Sequence, residues 1–237
     1  MNQEDLIVTV NNLLAYGFSY VDFTEVDLLA DVLNGWEGFT KEGQFYKELW
    51  GVELDNSSKT LGYSTVCRQD QDIEIFTERK LLRVLVENSG LDFDDHKKWF
   101  GDMEVLRSLC AGYCLDVSKV LCEVLKKDFS VLRKILSEDN DHCLQFAKYP
   151  HHSFDWLVKP HKDSSFITMQ LFDNSSSFMF GTKCNAPYIV RTGKALIFFG
   201  GKAEYFSEKI SAMSHSIKND SPGESLSVDF LLSSALP

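Results

Sequence analysis

The chain has 237 residues, which suits one large domain or one domain with a helical extension. Its hydrophobic content of 44% and its charged content of 25% are ordinary for a globular protein. With 35 acidic and 24 basic side chains, the formal net charge is −11. Because binding to phosphate backbones needs clustered Lys and Arg, this balance argues against nucleic acid as a partner.

The cysteines and the first residues together predict a cytoplasmic protein. The six cysteines form no CxxC pair, and their spacing does not resemble a disulfide framework. The first residues lack the basic region and the apolar run of a signal peptide. No segment reaches the roughly 20 apolar residues that a membrane span needs. We therefore expect free thiols in a reducing, cytoplasmic setting and no membrane partner.

Residues 1–142 are predicted to form a mainly helical region that packs on the rest of the chain. Apolar residues at three- and four-residue spacing predict helices at 6–14, 26–33, 81–86, 105–125 and 129–136. Residues 17–23 alternate like a short strand. Asn34-Gly35 indicates a break, and residues 54–61 indicate a polar loop.

From residue 143 to residue 237 the pattern changes to short strands separated by Gly, Pro, Asn and Ser. The candidate strands are 144–149, 166–172, 177–180, 188–191, 195–199, 213–217 and 227–232. Short strands after a helical half predict an α+β protein with a mainly β core, a sandwich or jelly roll braced by helices. Since no linker separates the two parts, we expect one integrated domain.

His161, Asp163 and His215 are the candidate metal ligands of the chain. We expect His161 to open a strand that continues to residue 171, which would place His161 and Asp163 on one face. Two imidazoles and one carboxylate leave three positions open on ferrous iron, where dioxygen and an organic substrate can meet. A lone His-x-Asp pair is common by chance, so its context decides the interpretation.

That context resembles a known family. Residues 161–173 are similar to the iron-binding strand of the isopenicillin N synthase-like oxygenases of the Fe(II)/2-oxoglutarate-dependent dioxygenase superfamily, with Thr168 and Asp173 in register. Further segments resemble the family in the same order along nearly the whole chain: 13–21, 61–63, 144–150, 193–200 and 212–215.

The resemblance implies a double-stranded β-helix, a jelly roll, braced by the N-terminal helices and holding Fe(II). It implies an oxidoreductase that uses dioxygen and a small-molecule substrate, with 2-oxoglutarate as a candidate co-substrate. By the same carry-over, His161, Asp163 and His215 are the metal ligands. The candidate residues for binding co-substrate or substrate are Tyr149, Thr168, Arg191, Lys194, Ser225 and Ser227.

The chain departs from the family at the usual carboxylate anchor. The family places Arg-x-Ser about ten residues beyond the second His, and here the corresponding residues are Ser225-Leu226-Ser227. The Arg that would grip a carboxylate in a bidentate contact is therefore absent. The alternative anchor, a Lys on the strand after His-x-Asp, is also absent from residues 164–173.

Three accounts of this departure stay open. A cation from elsewhere in the chain reaches the pocket; the candidates are Lys148, Arg191, Lys194 and Lys218. Alternatively, no 2-oxoglutarate binds and the substrate itself supplies the electrons, as in an oxidase. The third account is lost activity, which leaves a binding or scaffold protein on the same fold. A cupin-like metal hydrolase or isomerase is a further alternative.

Overall fold

The computed structural model describes residues 2–53, 60–68, 71–89, 96–136, 142–150, 156–175, 178–180, 193–218 and 223–233. The α-helices of this part are α1 (Gln3–Tyr16), α2 (Val26–Thr40), α3 (Gln44–Glu48), α4 (Lys80–Ser89), α5 (Lys97–Leu125) and α6 (Phe129–Ile135). The strands are β1 (Phe18–Asp22), β2 (Val52–Glu53), β3 (Thr60–Arg68), β4 (Gln71–Glu78), β5 (Cys143–Tyr149), β6 (Trp156–His161), β7 (Ile167–Asp173), β8 (Phe178–Phe180), β9 (Lys194–Phe199), β10 (His215–Lys218) and β11 (Ser225–Leu232).

The strands form two antiparallel sheets. The larger sheet has eight strands in the order β1-β9-β7-β11-β5-β4-β3-β2, and the smaller has three in the order β6-β10-β8. Buried side chains from both sheets form one apolar cluster, so the sheets face each other as in a jelly roll. The predicted fold class, an α+β jelly roll braced by helices, is therefore confirmed.

Alternation along the strands separates the two faces of the large sheet. On β11, Val228, Phe230 and Leu232 are buried in the core that the helices cover. Ser225, Ser227 and Asp229 lie at the intervening positions and therefore face the space between the sheets. The long helix α5 packs on the helix side, against α1, α2 and the strands β5, β7 and β11. No described helix is long and apolar enough to cross a membrane.

The predicted break at Asn34-Gly35 is wrong, because α2 runs without interruption from Val26 to Thr40. The glycine serves packing instead. A Cβ atom on Gly35 would lie 2.3 Å from the indole ring of Trp99 on α5. Gly35 therefore lets two helices approach closely, a role that local sequence does not distinguish from a break.

The prediction of a mainly helical first part missed the β3–β4 hairpin. Strands β1 to β4 all come from residues 1–142, and they supply four of the eight strands of the large sheet. The predicted strand at 17–23 is confirmed as β1, which pairs with β9. The polar loop predicted at 54–61 lies mostly outside the described residues. The strand predicted at 188–191 lies wholly outside them.

The prediction that His161 opens a strand running to residue 171 is wrong. His161 is the last residue of β6 in the small sheet, and β7 of the large sheet begins at Ile167. Residues 162–166 carry the chain from one sheet to the other. His161 and Asp163 therefore do not share a strand face, and their approach depends on this crossing.

Candidate metal centre

Two strands of the small sheet bring the imidazoles together. His161 ends β6, His215 begins β10, and the two residues are partners in the antiparallel register. Their ring centroids lie 4.4 Å apart. His215 is buried and its ring stacks on Phe178 of β8, with 5.3 Å between the centroids and 14° between the planes. Packing therefore fixes the buried imidazole in one orientation.

The connection between the sheets positions Asp163 beside this pair. The amide of Gly201 donates to the Asp163 carbonyl at 2.7 Å, and the amide of Phe166 donates to the Leu232 carbonyl at 2.8 Å. A Cβ on Gly200 would lie 2.3 Å from the Ser165 carbonyl oxygen. Only glycine at position 200 allows the two segments to approach this closely.

The ligand atoms of the three residues converge on one point. Oδ1 of Asp163 lies 3.4 Å from Nε2 of His161 and 3.5 Å from Nε2 of His215. Ligand atoms about 2.1 Å from a first-row metal ion at adjacent positions lie about 3 Å apart, so one ion fits between them after small adjustments. Among the described residues this is the one group of three or more His, Cys, Asp or Glu side chains with that geometry.

Each imidazole directs Nε2 toward this point because its other nitrogen lies against the backbone. Nδ1 of His161 is 3.0 Å from the carbonyl oxygen of Lys159, and Nδ1 of His215 is 3.4 Å from that of Met213. A protonated Nδ1 that donates to a carbonyl leaves Nε2 unprotonated, which is the tautomer that a metal ion needs.

Thr168 orients the carboxylate. Its hydroxyl donates to Oδ2 of Asp163 at 2.6 Å, and its Oγ1 lies 2.8 Å from the Ser165 hydroxyl oxygen. The bond occupies the carboxylate oxygen that faces away from the imidazoles. Oδ1 is thereby left as the oxygen available to a metal ion.

Electrostatics favour the protonation states that metal binding requires. Burial acts to raise the pKa of Asp163, but the contacts with His161, His215 and Thr168 outweigh it and hold that pKa below its usual value. Burial lowers the pKa of His215, against the opposing effect of Asp163. A neutral imidazole and an ionised carboxylate are therefore both favoured near neutral pH.

A cavity of about 80 Å³ opens beside the three residues. Its walls come from both sheets and combine apolar and polar side chains: Ile73, Ile75, Gln145, Ala147, Tyr149, Val158, His161, Asp163, Gln170, Phe178, His215, Ile217, Asp229 and Leu231. None of these is Lys or Arg. In the part of the chain that the structure describes, the cavity thus has no cationic wall.

The polar wall is acidic. Asp229 accepts a 3.3 Å hydrogen bond from Ser227, and burial, together with the charges of Asp163 and Asp173, raises its pKa well above the usual value. Burial likewise raises the pKa of Asp173 to about 6, although Ser175 and Gln170 donate to it. Three carboxyl groups thus share the interior around the candidate metal centre.

The six predicted co-substrate or substrate residues occupy different places. Tyr149 lines the cavity, whereas Thr168 lies behind Asp163. Ser225 and Ser227 are each 1% exposed and lie beside the cavity without lining it. Lys194 forms an ion pair with Asp22 between β1 and β9, away from the cavity. Arg191 lies outside the described residues.

Sequence reasoning missed Gln170 and Asp229 as wall residues of the cavity. Both were inside predicted strands, and strand alternation carried the signal. Gln170 shares a face with Thr168, and Asp229 shares a face with Ser225 and Ser227. A polar residue on the inward face of a core strand could therefore have identified each of them.

The fold is similar to solved oxygenase structures at low sequence identity. The dioxygenase for auxin oxidation 1 of Arabidopsis thaliana, in a binary complex with 2-oxoglutarate, is 12% identical with a TM-score of 0.78, over 99% of this chain and 90% of that one. A Neurospora crassa protein in complex with alpha-KG and 5-formyluracil is 15% identical with a TM-score of 0.77, over 98% of this chain and 78% of that one.

A Caulobacter crescentus protein described as a member of the 2OG-Fe(II) oxygenase family is 14% identical, with a TM-score of 0.76 over 98% of this chain and 84% of that one. No protein-family model matches the chain. No curated protein matches it either. At these identities the likeness establishes the fold, and the function has to be argued from the site.

Proposed function

We propose that the chain is a non-haem Fe(II)-dependent oxygenase or oxidase that acts on a small organic molecule. The observation that carries the proposal is the convergence of His161, Asp163 and His215, whose ligand atoms all lie within 4.8 Å of one another. Two imidazoles and one carboxylate suit ferrous iron and leave adjacent coordination positions open. The similarity of the fold to solved oxygenase structures supports the same function.

The residues of the site would hold the ion and shape its surroundings. Bound ferrous iron would supply the activation of dioxygen. Thr168 keeps Oδ1 of Asp163 turned toward the ion, and Phe178 holds the ring of His215. The small cavity would limit the water around a bound substrate and would place that substrate beside the ion.

The use of 2-oxoglutarate is a separate part of the proposal. Two of the similar proteins were crystallised with alpha-KG or 2-oxoglutarate. In this chain Ser225 stands where the resembled family has its Arg, and no described wall residue of the cavity is cationic. Co-substrate use therefore requires a cation that is not among the described wall residues, and Arg191, Lys148 and Lys218 are the candidates.

The subfamily, the domain organisation and the cellular location are further parts of the proposal. Membership of the isopenicillin N synthase-like group rests on the ordered motifs in the sequence. A single integrated domain is supported by the large sheet, to which residues 1–142 and 143–237 each contribute four strands. A cytoplasmic location is supported by the described cysteines, which form no disulfide with one another.

Iron loading and oxygen uptake test the function. We expect one Fe(II) per chain under anaerobic conditions, with loading lost in His215→Ala and Asp163→Ala. Lys162→Ala is the matched control. Lys162 lies between His161 and Asp163 in the sequence, but its Nζ forms an ion pair with Oε1 of Glu204 at 2.9 Å and is not a candidate ligand. Iron uptake that is unaffected by His215→Ala would refute the metal centre and favour a scaffold protein.

Oxygen uptake of the iron-loaded chain then separates the remaining enzyme classes. An oxygenase or oxidase consumes dioxygen when a panel of small metabolites is added, whereas a hydrolase or isomerase does not. The assay is run with and without 2-oxoglutarate, and succinate is measured. Succinate establishes 2-oxoglutarate as co-substrate, and metabolite turnover without succinate establishes the oxidase reaction.

A further inference from the structure

We propose that the cavity beside His161, Asp163 and His215 binds its ligand through a cationic nitrogen group, such as an amine or an amidinium, which Asp229 and Gln170 receive. The inference rests on the proposed function and names the substrate class of the same site. It follows from an unmatched acceptor, an uncompensated carboxylate and the charge balance of the interior.

Gln170 presents a hydrogen-bond acceptor that lacks a partner. The residue is 1% exposed and lines the cavity. Its Nε2 donates to Oδ2 of Asp173 at 3.3 Å, while its Oε1 has no hydrogen-bond partner among the described residues. A buried acceptor without a partner costs about 1–3 kcal/mol. An N–H donor on a ligand in the cavity would remove that cost.

Asp229 adds a carboxyl group to the same cavity wall. Ser227 donates to its Oδ2 at 3.3 Å. The electrostatic neighbours of Asp229 are the carboxyl groups of Asp163 and Asp173, and no cation is among them. Burying a carboxylate without a compensating cation is costly, so this wall favours a ligand that brings a positive charge.

A proton and a cationic ligand compete to compensate Asp229. In the ligand-free chain, burial and the charges of Asp163 and Asp173 favour the protonated form of this carboxyl group. No Lys or Arg is among the described wall residues, so a cationic ligand is the group that can replace the proton. A carboxylate ligand would instead add negative charge to the same interior.

The size of the cavity restricts the group that enters it. At about 80 Å³ it has room for a group of a few heavy atoms, since a cavity of about 10–15 Å³ by the same definition already holds one water. Ile73, Ile75 and Phe178 provide the apolar part of the wall around that space. A compact amidinium or ammonium head on an apolar stem matches this combination of walls.

Three small probes of the same shape test the charge preference directly. Acetamidinium, acetamide and acetate are planar and differ in charge, and their binding to the full chain loaded with redox-inert Zn(II) is measured by ligand-observed NMR. We expect acetamidinium to bind at least 10-fold more tightly than acetamide. Equal affinity of these two probes, or tighter binding of acetamide, would overturn the proposal.

Two variants assign the preference to its residues. Asp229→Asn should abolish the difference between acetamidinium and acetamide, and Gln170→Met should weaken both. Asp72→Asn is the matched control, because Asp72 is exposed on the neighbouring strand β4 and is not part of the cavity wall. A preference that survives Asp229→Asn unchanged would refute the role of Asp229.

Metal loading and probe binding are measured separately, so the metal centre and the cationic ligand can fail independently. Failure of the chain to load zinc or iron would refute the proposed function. The same probes applied to metal-free Asp163→Asn then still decide the ligand class, because Asp229 and Gln170 are intact. A chain that loads metal yet does not discriminate between the probes would refute the cationic ligand alone.

Discussion

Thr168 and Asp163 form a 2.6 Å hydrogen bond that decides which carboxylate oxygen faces the imidazoles. Asp163 lies in the connection between two sheets, whereas Thr168 lies on β7 of the large sheet. The bond therefore ties a residue of the crossing segment to the regular part of the fold. It holds Oδ2, while Oδ1 lies 3.4 Å and 3.5 Å from Nε2 of His161 and His215.

Replacing Thr168 should weaken metal binding without unfolding the protein. Thr168→Val keeps the shape of the side chain and removes the donor, and loss of such an outer contact typically lowers metal affinity 10- to 100-fold. Thr168→Ser keeps the hydroxyl and should stay close to wild type. Competition titration with Co(II) measures both. Equal affinity of Thr168→Val and wild type would contradict the orienting role.

Much of the site was predictable because its residue types are distinctive in the sequence. His161, Asp163 and His215 were all identified, and the structure brings them together. The strand assignment around them was wrong, because the pattern does not show where the chain crosses between sheets. That crossing depends on contacts with Gly200 and Gly201, which lie almost forty residues downstream.

The fold class was predictable from the short strands after residue 143, whereas the β3–β4 hairpin was not. Its residues join the large sheet through pairing between β4 and β5, a contact between segments about seventy residues apart. The break predicted at Gly35 was wrong for the same reason, since the need for glycine there comes from the close approach of Trp99 on another helix. Local patterns do not contain such long-range contacts.

Ser225 and Ser227 should respond in opposite ways to removal of their hydroxyl groups. The two lie on the same face of β11 and each is 1% exposed. Ser225 Oγ has no hydrogen-bond partner among the described residues, while Ser227 Oγ donates to Asp229.

Ser225→Ala should therefore leave the free energy of unfolding unchanged or raise it, whereas Ser227→Ala should lower it by about 1 kcal/mol. Urea unfolding of the ligand-free chain measures both changes. A clear loss of stability in Ser225→Ala would show that its hydroxyl already has a partner.

The two glycines of α2 provide a matched test of helix packing. Gly35→Ala places a methyl group 2.3 Å from the Trp99 ring and should destabilise the protein by about 1–3 kcal/mol through overpacking. Gly38→Ala meets nothing within 4 Å and should stabilise it by about 0.5–1 kcal/mol. Thermal unfolding of the two variants compares them. The same change in both would refute the close approach of α2 and α5.

The buried pair of Glu78 and Arg107 should make stability depend on pH. Oε2 of Glu78 lies 3.0 Å from Nε of Arg107, and both side chains are 5% exposed. Burial raises the pKa of Glu78 to about 7, although Arg107 acts to lower it. A carboxyl whose folded-state pKa exceeds its usual 4.5 binds its proton more tightly in the folded chain, so stability falls as pH rises between these values.

Glu78→Gln removes this titration, so its stability relative to wild type should rise by up to about 3 kcal/mol between pH 4.5 and pH 7. Above pH 7 the difference should level off, because Glu78 is ionised in both the folded and the unfolded chain. Urea unfolding of wild type and variant at pH 5 and pH 8 measures the change. Glu37→Gln, which removes an exposed carboxyl group on α2, is the control and should follow wild type. Parallel pH profiles for Glu78→Gln and wild type would contradict the raised pKa.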